Sequence, residues 1–311
     1  MACTPIAVAR RLLGGFVLLM ALLAQARATA ATPATTETSA QQTPPDEYVY
    51  RAGSEREPGL RLFVFQPTGG ISQPRPAMLS FHGGGWHVGE ASWTFATARR
   101  MAHMGVVGIA VQYRLSDQKR ITPIEALADA CASLHWVRVN AARLRIDPQR
   151  VGAHGVSAGG HLAAATAALG CGNDQGRYGN GGPDLLLLWS PAVDVADSGW
   201  FRRLLLGRGD PQAWSPAQQV RGLMPPTSIV QGAADTVTRL DGAQAFCTAL
   251  RSHKAECELN VYPDLGHLLT RNLKHQEDDF DPDPQARDDG IRRHQAFVRR
   301  HWLAADMAVP R

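Results

Sequence analysis

The sequence contains no C-x-x-C pair and no H-E-x-x-H pattern, so nothing in it has the spacing of a protein zinc site, and no metal is expected. It contains no internal repeat. It also lacks a strong charge imbalance. The formal net charge is +4, but Arg10, Arg11 and Arg27 lie in an N-terminal leader without acids; 32 basic side chains less those three leaves 29, against 28 acidic. That balance argues against nucleic acid or an anionic membrane surface as the main partner. The apolar run from Leu12 to Ala24 is thirteen residues, short for a membrane span.

That run fits a removable leader instead. Arg10 and Arg11 supply a positive start, and Ala26-Arg27-Ala28 or Ala28-Thr29-Ala30 supplies a small-x-small cleavage site. Residues 1–30 are therefore expected to be a signal peptide, with an uncleaved anchor as the alternative. The mature chain is expected in the periplasm or outside the cell, with no stable membrane insertion. Cys3 lies upstream of the apolar run and is not placed as a lipoprotein cysteine. Residues 31–45 are rich in Thr, Ala, Pro and Gln, have almost no large apolar side chain, and read as a flexible linker. Residues 46–311 suit one α/β domain. Cys131, Cys171, Cys247 and Cys257 remain; in an exported chain they could form two disulfides, with 131–171 and 247–257 the pairs nearest in sequence, or stay as buried thiols.

Short apolar runs at 60–65, 77–81, 106–112, 150–155, 184–189, 227–231 and 258–262 read as strands. Helical spacing appears from Pro123 to about Leu144, at 161–169, from Leu240 to His253 and from Ile291 to Trp302. This alternation implies a mostly parallel sheet covered on both faces, with ligands beyond the carboxyl ends of the strands.

Between one such strand and helix lies Gly155-Val156-Ser157-Ala158-Gly159-Gly160. A serine flanked by glycines at minus two and plus two is the nucleophile-elbow pattern. The tight turn brings neighbouring chain close, where a Cβ would collide, and lifts the hydroxyl to a helix N-terminus that favours negative charge. Another strand ends in His82-Gly83-Gly84-Gly85-Trp86, whose glycines free backbone N–H groups to point into a cavity. Gly83, Gly84 and Ala158 are candidate donors to an oxyanion; losing one such donor typically costs about 3–4 kcal/mol of transition-state stabilisation.

Asp235 follows the strand at 227–231 and is the candidate acid. Asp194 is its rival, and Asp264 stands very close in sequence to the candidate base. That base is His267, the one of eleven histidines with the right chain order and a strand-end loop. The order Ser157, Asp235, His267 is the one expected of such a triad on this kind of sheet. Trp86, His87 and Trp189 are candidate substrate-binding residues, although large aromatics are core by default.

Together, the His82–Trp86 loop, Tyr113-Arg114, the Gly155–Gly160 run, Asp235 and His267 make the chain resemble the hormone-sensitive-lipase-like esterases of the α/β-hydrolase superfamily, nearest the branch of acetyl-xylan and feruloyl esterases. The resemblance runs from about Tyr48 to Trp302. It implies an α/β-hydrolase fold with a sheet of about eight strands, and hydrolysis of short-acyl carboxylic esters through an acyl-enzyme with no cofactor. It also implies that Ser157 is the nucleophile, His267 the acid/base and Asp235 its orienter, with Gly83, Gly84 and Ala158 forming the oxyanion hole. Two departures stand out. Val156 replaces the acid that many lipase-like members carry before the serine. The short stretch from Tyr48 to His82 leaves little room for an N-terminal helical cap, so little or no cap is expected, with residues 194–224 able to form a small lid. The acidic stretch 277–283 fits no calcium-loop template and reads as a solvated turn. A serine peptidase or amidase on the same fold, or a catalytically inactive glycan-binding module, are the competing classes; oligomeric state is left open.

Overall fold

The computed structural model describes residues 43–54, 58–69, 73–117, 119–278 and 280–304. The expected leader and most of the expected linker lie outside these residues.

Eight strands form one sheet: β1 (Asp46–Arg51), β2 (Leu60–Phe65), β3 (Arg75–Phe81), β4 (Val107–Val111), β5 (Ile146–Val156), β6 (Leu186–Trp189), β7 (Thr227–Gly232) and β8 (Cys257–Tyr262). Their spatial order is β1-β2-β4-β3-β5-β6-β7-β8. The β1–β2 and β2–β4 pairs are antiparallel, and every later pair is parallel. The helices are α1 (Phe95–His103), α2 (Pro123–Val139), α3 (Ala141–Leu144), α4 (Ala158–Ala168), α5 (Gly199–Leu204), α6 (Pro216–Gln219), α7 (Leu240–Ser252) and α8 (Pro284–Val298).

Strand alternation sorts side chains between two layers. Ala77, Leu79 and Phe81 of β3, and Val151 and Ala153 of β5, join Leu134, Leu162, Phe246 and Leu250 in the core beneath α2, α4 and α7. Met78 points the other way and packs with Met101, Leu187, Phe297 and Trp302 under α1 and α8.

Local chemistry sets the helix ends. Thr122 and Glu125 make a reciprocal capping box on α2, with Pro123 in its first turn. The helix stops at Val139, and the residues expected to continue it form the separate turn α3 after Asn140. The last helix starts earlier than its apolar spacing suggested, because the Asp283 carboxylate accepts from the Ala286 N–H and Pro284 follows directly. Past Val298 it widens into a π-turn over Arg299–Leu303. Of the two alternatives open for the four cysteines, the structure forms disulfides, Cys131–Cys171 and Cys247–Cys257, with Cα separations of 5.3 and 5.6 Å. Among the described residues, no helix precedes β3 and none is long and apolar enough to cross a membrane.

Candidate active site

β5 and α4 meet at Ser157, which holds φ 52° and ψ −116°. A non-glycine residue in that region carries roughly 1–3 kcal/mol of strain and persists only where its surroundings enforce it. Here they do. The Ser157 N–H donates to the Trp189 carbonyl of β6 at 2.9 Å, and its own carbonyl accepts from Ala192 at 3.1 Å. A Cβ on Gly155 would overlap the Gly159 carbonyl, so the turn closes only with glycine there.

The structure brings Ser157, His267 and Asp235 into one hydrogen-bonded chain. His267 Nε2 lies 3.0 Å from Ser157 Oγ, and His267 Nδ1 lies 2.9 Å from Asp235 Oδ2. Both distances suit proton transfer from a hydroxyl to an imidazole steadied by a carboxylate. Ser157 is 9 % exposed, Asp235 5 % and His267 3 %, so bulk water scarcely screens the chain. Asp235 is held from several sides. Its Oδ1 accepts from the Val237 and Thr238 N–H groups, and its Oδ2 from Gln231 Nε2 and Thr238 Oγ1. The rival acids are elsewhere: exposed Asp194 accepts from Ser215 and Gln218, and Asp264 occupies a left-handed turn position.

Two of the three candidate oxyanion donors, Gly83 and Ala158, lie beside Ser157. Ala158 opens α4, where the first N–H groups have no acceptor within the helix. Gly83 approaches so closely that a Cβ there would sit 3.4 Å from the Ser157 Cβ. Gly84 has φ +107° and turns the loop away, its carbonyl accepting from His87 and Val88. Tyr113 supports the loop by stacking on His82 at 4.3 Å and donating its hydroxyl to the His82 carbonyl at 2.8 Å.

A family described as the alpha/beta hydrolase fold matches residues 78–271. The chain belongs to that family. Among solved structures, the thermophilic esterase Est2 of Thermogutta terrifontis superposes on this chain with a TM-score of 0.70 at 25% identity, covering 82% of this chain and 92% of that one. Its butyrate-bound form gives 0.69 at 26% identity, with 82% and 93% covered. Among curated relatives, carboxylesterase NlhH of Mycobacterium tuberculosis is 36% identical over 123 residues, 38% of this chain and 35% of that one. The carboxylic ester hydrolase LipN of the same organism is 28% identical over 233 residues, 65% and 59% of the two chains. The match thus spans about a third of the length of the first of these curated relatives and three-fifths of the second.

Around the triad of this α/β-hydrolase, the three candidate substrate-binding side chains separate. His87 is exposed beside the glycine loop and meets Trp200 edge-on at 5.0 Å. Trp86 is a correction: only 4 % exposed, it packs on Phe201 and donates to His161 Nδ1 at 3.3 Å, buttressing the loop from behind. Its positive φ of 65° turns the ring inward. His161 Nε2 in turn donates to the Trp214 carbonyl at 2.8 Å, and burial lowers its pKa to about 4. Trp189 lies on the α8 side of the sheet, edge-on to His294 at 5.8 Å.

Residues 194–224 fold into α5, a 3₁₀ turn and α6; Trp200 Nε1 donates to the Gly85 carbonyl at 3.2 Å. In the acidic stretch, Asp281 pairs with Arg271, and Asp283 caps α8. Sequence reasoning missed Thr238 and Gln276. Thr238 Oγ1 touches both Asp235 Oδ2 and His267 Nδ1, at 2.9 and 3.1 Å. Gln276 Oε1 accepts from the His267 and Thr236 N–H groups, joining the two loops that carry base and acid. Neither has a motif spacing that would mark it.

Proposed function

We propose that this α/β-hydrolase is an exported serine carboxylesterase that cleaves short-acyl esters, with acetyl or feruloyl esters of carbohydrates as its finer substrate class. The observation that carries the reading is the continuous hydrogen-bonded chain from Ser157 Oγ through His267 to Asp235. In this mechanism His267 Nε2 takes the Ser157 proton as Oγ attacks the acyl carbon. The N–H groups of Gly83, Gly84 and Ala158 hold the oxyanion, and His267 returns the proton to the departing alcohol. Water, activated by the same imidazole, then hydrolyses the acyl-enzyme. Asp235 keeps the imidazole oriented and stabilises its charged form.

The esterase names of the relatives support the reaction class. Two disulfides support an oxidising destination. The exposed rings of His87 and Trp93 near the glycine loop support a sugar-bearing alcohol, which packs its apolar faces on aromatics. Ser157→Ala should lower p-nitrophenyl acetate turnover by roughly 10⁴-fold or more in folded protein, and an alkyl fluorophosphonate should label the wild type alone. Undiminished turnover, or equal labelling of both proteins, overturns the assignment.

A further inference from the structure

A cavity of about 230 Å³ opens between α1, α8 and the carboxyl end of β5. Val156 and Leu268, which line it, are the chain neighbours of Ser157 and His267. A Val156 methyl also lies 3.7 Å from where a Gly83 Cβ would be, so Val156 stands between the cavity and the glycine loop. Met101 and Ile291 complete an apolar wall.

The charged lining has one sign. Arg100 and Arg287 both face the cavity, and no carboxylate lines it among the described residues. Arg100 donates to Thr97 Oγ1 at 2.8 Å and has no ion pair among the described residues. Burial and the neighbouring Arg287 both lower its pKa, the response of a cation held without a counter-ion. Two further groups are left unsatisfied. His154 and His294 are each 4 % exposed and form part of the cavity lining, and His154 Nδ1 and His294 Nε2 have no hydrogen-bond partner. Buried polar atoms are rarely left so unless a ligand or water completes them. An apolar wall beside the nucleophile, two guanidiniums without a carboxylate, and unfilled ring nitrogens together describe the complement of a short chain ending in an anionic oxygen group.

We infer that this cavity is a specificity subsite for esters that carry a carboxylate a few bonds from the scissile carbonyl, with Arg100 and Arg287 receiving the carboxylate. The inference rests on the esterase reading and names its substrate class. Either the acyl or the alcohol side of the ester can supply the carboxylate, and two probe pairs separate them.

The acyl pair is p-nitrophenyl hemiglutarate against p-nitrophenyl pentanoate. The alcohol pair is 3-acetoxypropanoate against propyl acetate, followed by acetate release. In wild type, kcat/KM for the charged member of at least one pair should exceed its neutral isostere about tenfold at low ionic strength, and the preference should shrink with added salt. Arg287→Gln, at an exposed position, should reduce it severalfold, and Arg100→Gln with Arg287→Gln should abolish it. Turnover of the neutral ester should stay within about twofold in both variants. Neutral esters turned over with no charged preference, or a preference that survives both substitutions, overturns the subsite while leaving the esterase reading intact. If no ester is turned over, the esterase reading fails by itself. The subsite is then judged on Ser157→Ala protein by calorimetric titration with glutarate: binding lost in Arg287→Gln upholds an anion site, and no binding removes it.

Discussion

The two faces of the sheet are built to different standards. Beneath α2, α4 and α7 the layer is closed: every residue of α4 is buried, its backbone lies close on β3, β5 and β6, and the polar side chains it encloses, such as His161 and Asp129, have hydrogen-bond partners. Beneath α1 and α8 the apolar cluster is smaller. It shares its layer with His154, His294 and an open cavity. Both faces meet at Ser157. The closed side enforces the strained backbone that presents the hydroxyl, while the side with room in it is the one that Val156 and Trp189 face. A nucleophile has to be rigidly held from one direction and reachable from another, and the sheet divides those duties between its surfaces.

Acid should produce the largest effect, and it bears hardest on the looser face. Burial lowers the pKa of His154 to about 3 and of His294 to about 4 on that face, and of His161 to about 4 on the other. These folded-state values lie below the ordinary 6.5, so the fold holds the rings neutral while the unfolded chain takes up protons. Stability is therefore full above about pH 6.5 and falls as the pH drops towards about 4, each ring contributing a slope of about 1.4 kcal/mol per pH unit. Chemical denaturation between pH 7 and pH 5 should show this fall, and His294→Gln should make it shallower; a flat profile contradicts the buried neutral rings. Next in size, Leu162→Ala on the closed face should cost about 2–5 kcal/mol, because a fully buried methyl cluster leaves a void its neighbours cannot fill. Smallest, Ile291→Ala on the cavity wall should cost about 1 kcal/mol or less, since that side chain is only half-buried and already borders open space. Equal losses in the two variants, read as urea midpoints, would erase the distinction between the faces.

Much of this arrangement was legible in the amino-acid order, and the exceptions have physical causes. Continuous apolar runs marked the parallel strands because both their faces are covered. β1 escaped notice: an edge strand with Tyr50 as its one buried side chain has no apolar run to see. α1 escaped because Phe95–His103 is mostly alanine, arginine and threonine, and it buries only Ala98, Met101 and Ala102. Chain order admits both Asp194 and Asp235, since both lie between Ser157 and His267; the place of Asp235 directly after a strand made the choice. Trp86 was misplaced since an aromatic after a glycine loop reads as a pocket wall until its positive φ is known. The Gln276 bridge joins residues apart in sequence, which no local pattern encodes.

The Cys247–Cys257 bond ties α7 to the first residue of β8. β8 is the last strand of the sheet and pairs only with β7, yet the chain leaves it straight into the loop that bears His267. Side-chain bonds from Arg293, Arg300 and Tyr262 add to the one ladder that holds that edge, and the covalent stitch is the part a thiol reductant can remove. With the stitch open, β8 is expected to fray first, and the loop that bears His267 with it. Dithiothreitol should therefore lower p-nitrophenyl acetate turnover before circular dichroism registers any loss of the sheet, and a simultaneous loss of both would contradict this order.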